Sequence, residues 1–205
     1  MHGINLGYSS ENNTLSGNTM ANNFYGIYLW YTSGNLIYHN SFINNTYQVS
    51  LYESYNNVWD NGYPSGGNYW SDYNGDDLYS GSYQNETGID GIGDTPCLQS
   101  GIVWGIEFEI VDRYPLMEPW STRTMTKTLI RTVRFWDLPK GAENSFTSKL
   151  DDTIHLLNKG NENGAIHKLM DFIDQVEALR GKKLTPEQAD HLTTEAQRII
   201  DLING

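Results

Sequence analysis

Residues 1–60 repeat with a period close to 22. Gly3-Ile4-Asn5-Leu6, Gly26-Ile27-Tyr28-Leu29 and Gln48-Val49-Ser50-Leu51 stand at equivalent places, and Asn13, Asn35 and Asn57 recur 22 residues apart. Within each unit the apolar residues alternate (Ile4/Leu6, Ile27/Leu29, Val49/Leu51), which is the period of a strand and not of a helix. Polar turns rich in Ser, Gly and Asn separate these runs from second short runs such as Leu36-Ile37-Tyr38. Units stacked at the ~4.8 Å spacing of neighbouring strands would bury an interior that no single unit buries alone. The expected fold is therefore a β-solenoid. Asn13, Asn35 and Asn57 are expected to tolerate left-handed corners and to bond amide to amide along the stack, with Asn18 and Asn40 doing the same at a second corner.

The unit Gly-Ile-x-Leu, turn, Asn-x-Ile, Asn-x-Phe (Asn40-Ser41-Phe42) resembles the right-handed parallel β-helix repeats of NosD-like proteins. The strings Gly66-Gly67-Asn68-Tyr69-Trp70-Ser71-Asp72-Tyr73, Gly91-Ile92-Gly93-Asp94-Thr95-Pro96 and Asp112-Arg113-Tyr114-Pro115 resemble the segment that closes such helices in archaeal surface proteins. From residue 144 the apolar period becomes helical, with Phe146, Leu150 and Ile154 in one stripe and a Thr185-Pro186-Glu187-Gln188 capping box opening the last helix. Residues 143–203 resemble a helical module found near the C-termini of secreted and cell-surface proteins. The implied architecture is a β-solenoid plus an all-α part. A short right-handed parallel β-helix (1–63) is followed by an irregular closing segment (64–120), a basic linker whose Leu129–Phe135 stretch is an interdomain strand or an extended tether (121–142) and an antiparallel three-helix bundle (143–205).

Charge narrows the function. Residues 1–120 carry 13 Asp/Glu and a single basic residue, Arg113, so the whole net charge of −12 lies there. Such a surface repels phosphate backbones, which argues against nucleic acid and favours cations or neutral polymers. No apolar run reaches membrane-spanning length, and Cys97 is the only cysteine, so an intrachain disulfide is excluded. The chain opens inside a repeat without a signal peptide and is read as the C-terminal part of a longer exported protein. The sequons at Asn12, Asn44 and Asn85 fit an extracellular or cell-surface location.

Two candidate sites emerge. Asp72, Asp76, Asp77, Asp90 and Asp94, broken by glycines, have the oxygen-rich, flexible character of a calcium loop, or of an acidic turn that caps its own backbone. Tyr63, Tyr69, Trp70 and Tyr73 suit stacking against sugar rings, or plugging the end of the stack. Catalysis is not expected. The repeats hold only Glu11, Glu53 and Asp60 as acids, and Glu11 and Glu53 would stand about 10 Å apart. No copper site is expected either, because His2, His39 and Met20 are scattered. His155, His167 and His191 stand one per helix, which makes a three-His site conceivable, but each falls on a polar flank between apolar stripe positions, which argues against it. The expected function is that of a non-catalytic surface protein binding polysaccharide or cell-surface glycan, with other surface-layer proteins as further partners. The alternatives are the end of a carbohydrate-active enzyme whose groove lies in absent repeats, and a structural spacer.

Overall fold

The structure, a computed structural model, describes residues 1–205 and divides them into two compact units, Met1–Trp120 and Ser121–Gly205. In the first unit, each repeat contributes one longer strand and two short ones. The first gives β1 (His2–Gly7), β2 (Thr14–Leu15) and β3 (Thr19–Ala21), and the second gives β4 (Tyr25–Trp30), β5 (Leu36–Ile37) and β6 (Ser41–Ile43). The third begins with β7 (Tyr47–Tyr52). Equivalent strands pair in parallel, as β1-β4-β7 and β2-β5, and Ile4, Ile27 and Val49 share one rung. Their side chains enter a core with Phe42, Trp59 and Trp70. Burying each aliphatic side chain contributes roughly 1.5–3 kcal/mol, which is what sets the register.

The period then breaks. The next strand, β8 (Tyr69–Trp70), pairs with β6 through Ser41 and Tyr69, and the neighbouring Asn40 and Asn68 are 28 residues apart rather than 22. The extra residues form a turn in which Gly66 N–H donates to the Gly62 carbonyl. Beyond it lie two antiparallel pairs, β9 (Tyr79–Ser80) with β10 (Glu86–Thr87) and β11 (Cys97–Val103) with β12 (Ile106–Asp112). The β11–β12 hairpin packs against β7.

The second unit has α1 (Thr122–Phe135), α2 (Lys140–Asn158), α3 (Glu162–Leu179) and α4 (Pro186–Asn204). Neighbours in the order α1-α2-α3-α4 pack on one another, and α1 also packs on α4. Phe146 and Phe172 meet edge-to-face at 5.4 Å in the middle of this core. No helix is long and apolar enough to cross a membrane.

The expected architecture is corrected in both parts. The β part is not a closed right-handed parallel β-helix: it is five short, separate sheets of two or three strands, two of them antiparallel. Three repeats supply too few strands for a continuous wall, and the break after Val58 turns the remaining chain into hairpins. The helical part has four helices instead of a three-helix bundle, because the stretch read as a linker strand is helical. Its β-branched residues suggested extension, but Ser121 and Thr124 form a capping box, and Met125, Leu129 and Val133 fall four apart on one buried face.

Candidate functional site: an aromatic cleft over the repeat sheet

The side chains of β1, β4 and β7 that do not enter the core face outward. Tyr25 and Tyr28 stack at 5.5 Å, and His2 lies 5.4 Å from Tyr28. Further along the strands, Trp30 covers Gly7, where a Cβ would run into the indole nitrogen. Glycine is required there by that close approach. The tip of the β11–β12 hairpin brings Trp104 edge-on to Tyr52 at 4.7 Å. Between these groups lies a cleft of about 380 Å³, lined by His2, Asn5, Tyr25, Tyr28, Trp30 and the tip residues Val103 and Trp104.

The cleft is flat-walled, apolar on its faces and edged with hydroxyl, amide and imidazole groups. No carboxylate or basic side chain other than the imidazole lines it. Burial, reinforced by Tyr25, raises the Tyr28 phenol above its ordinary pKa, so it is a neutral hydroxyl at physiological pH. Trp104 is 73% exposed, so its ring is free to meet a ligand.

The aromatics singled out from the sequence are placed differently. Trp70 is a core residue, stacked on Phe42 at 4.2 Å with its indole N–H donated to Asp112 at 2.8 Å, and is closed to any sugar. Tyr73 packs on the same core and donates its hydroxyl to the Thr95 carbonyl. Tyr63 and Tyr69 are half-buried, and Tyr63 lies 6.3 Å from Tyr114. None of the four lines the aromatic cleft. Three of the cleft's aromatics, Tyr25, Tyr28 and Trp30, stand close together on the single strand β4, so that much of the signal was present in the sequence. What concealed it was Trp104, which only the hairpin brings near.

The acidic loop is committed to its own backbone. Asp77 accepts from Asp90 N–H and Gly91 N–H, Asp94 from Leu78 N–H and Tyr79 N–H, and Asp90 from Ile92 N–H. Asp76 offers its carbonyl to Asp94 N–H, and Asp72 accepts from Gln48 and Gln99. No three acids or histidines gather into a group able to hold a metal ion. The chain's potential copper ligands are dispersed too. His39 stacks on Trp120 at 3.6 Å, Met20 is in the core, and burial pushes the Cys97 thiol up to about 12. His155, His167 and His191 are all exposed, each on its own helix. Asn12, Asn44 and Asn85 are exposed.

Two carboxylates instead build the end of the first unit. Asp112 is fully buried and accepts from Asn68 N–H, Trp70 indole N–H and Tyr114 N–H. Burial raises its pKa to about 7 against the pull of those donors. Asp60 is also desolvated, but the bidentate Arg113 guanidinium at 2.7 and 2.9 Å outweighs that and holds its pKa below the ordinary value.

With this geometry in view, comparison with known families places two similarities on the chain. Residues 2–75 match the family model described as periplasmic copper-binding protein NosD, so the repeat segment is NosD-like. Residues 122–201 match the model of the FIMAH domain, which begins at α1. No curated protein matches the chain.

Proposed function

We propose that the first unit is a non-catalytic carbohydrate-binding element of an exported protein and holds polysaccharide in the aromatic cleft. One observation carries this reading: Tyr25, Tyr28, Trp30 and Trp104 line an open cleft with polar groups at its edges. A pyranose ring has an apolar face and a rim of hydroxyls. Aromatic walls meet the first, while Asn5, His2 and the tyrosine hydroxyls meet the second. The cleft lacks the facing carboxylate pair that glycoside hydrolysis requires, which supports holding over cutting. The similarity to a periplasmic family and the exposed sequons support a location outside the cytoplasm.

Affinity electrophoresis of the full chain through gels cast with neutral polysaccharides tests the proposal. At least one polysaccharide retards the native chain, and Y28A/W104A loses about tenfold in affinity, in line with roughly 0.5–1.5 kcal/mol for each aromatic stack. Retardation that is unchanged in the double variant sinks the cleft. Release of reducing sugar would make the chain an enzyme, and no retardation at all would leave it a spacer.

A further inference from the structure

The asparagine ladders end in two different ways. In the first, the backbone N–H and Nδ2 of Asn13 both donate to Asn35 Oδ1 at 3.0 Å, and those of Asn35 donate to Asn57 Oδ1 at 3.0 and 2.9 Å. In the second, Asn18 donates in the same way to Asn40, and Asn40 to Asn68. The second ladder is terminated inside the protein, where Asn68 N–H donates to the buried Asp112 carboxylate at 2.7 Å and Asn68 Nδ2 to the Ile37 and Trp59 carbonyls at 2.9 and 2.8 Å. The first has no such terminus: Asn57 Nδ2 is buried without a partner. An amide donor left in that state costs free energy that a ligand would recover.

Asn57 lines a second cleft, of about 360 Å³, at the base of the β11–β12 hairpin. Val58, Trp59 and Val111 supply apolar wall, Glu109 an acceptor and Arg113 a donor. Asp60 occupies Arg113 Nε and Nη2, leaving Nη1 free. On every earlier rung the group in the place facing Asn57 is an amide oxygen. We propose that this cleft binds an N-acetylated sugar, whose amide carbonyl takes the position of the next asparagine. Its methyl group rests on Val58 and Val111, and its ring hydroxyls meet Glu109 and Arg113. The site rests on the carbohydrate reading for its ligand class, but it is separate from the aromatic cleft at the hairpin tip.

The test is calorimetry on the full chain with triacetylchitotriose and with cellotriose, which has hydroxyls where the first has acetamido groups. The acetylated trimer binds about tenfold more tightly, the gain expected for satisfying a buried donor. Asn57→Asp, which replaces that donor with an acceptor, abolishes the preference, whereas W104A keeps it. Equal binding of the two trimers, or binding of neither, overturns this proposal and leaves the aromatic cleft to be decided by the polysaccharide gels. Should N57D fail to fold, the Asn57 side-chain NH₂ resonance of the native chain decides the matter. It shifts on addition of triacetylchitotriose, and a resonance that stays still while the sugar binds refutes the site. A shift caused by raising protein concentration without sugar would assign the amide to a second copy of the chain and refute the sugar.

Discussion

At the scale of single residues, the acids of the first unit owe their chemistry to placement. Asp112 and Asp60 are both almost wholly buried, yet one has its pKa raised to about 7 and the other has it lowered. The difference is Arg113, which pairs with Asp60 and not with Asp112. The signs then follow from linkage. A carboxyl whose folded pKa lies above its unfolded value of ~3.9 binds its proton more tightly in the native state, so its contribution to stability is complete at low pH and lost as pH rises through 7. Asp60 contributes above its unfolded pKa and loses that contribution as pH falls through its folded one. The melting temperature is therefore expected to rise from pH 8 to about 5 and to fall below about 4. D112N, scanned by circular dichroism, should flatten the upper limb alone. None of this was legible beforehand, because Asp112 and Asp60 are 52 residues apart from a common environment only folding creates. The asparagines were read more closely, although the left-handed corners belong to the preceding residues Asn12 and Asn56, which leaves Asn13 and Asn57 to aim their amides along the ladder.

At the scale of elements, the ladder is a series of coupled bonds. Asn35 is fully buried and serves as acceptor for one rung and donor to the next. N35A is expected to cost about 1–3 kcal/mol by urea denaturation, because it strands the donors of Asn13 as well as removing its own. In the acidic loop the carboxylates cap backbone N–H groups, so a chelator should leave the melting curve unchanged. A fall in melting temperature with EDTA would show that an ion gathers them. In the helical unit, Thr185 and Gln188 close their capping box reciprocally, and T185A should lower stability by about 1 kcal/mol. That cap was legible because its bonds join residues three apart. The helical state of Thr122–Phe135 carried the same kind of local signal, in Ser121–Thr124 and in the four-residue spacing of Met125, Leu129 and Val133, but its β-branched residues masked it.

At the scale of the whole molecule, each unit has its own buried core, so the second unit expressed alone should fold. In that fragment L169A should cost about 2–5 kcal/mol, measured by urea denaturation, since Leu169 is fully buried. By itself, the sequence determined which strands pair: recurrence of the same apolar and amide groups every 22 residues leaves parallel, in-register stacking as the arrangement that buries and bonds them all. It also determined the ends of the later helices, whose signals lie within one turn of the residues they stop or start. Only the tertiary structure decided how far the stacking runs, because the break after Val58 and the hairpin behind it depend on partners such as Asp112 and Tyr114. The same contacts decided which aromatics meet solvent. Trp70 is enclosed and Trp104 is not, and that difference rests on burial, which belongs to packed neighbours and is encoded in no single segment.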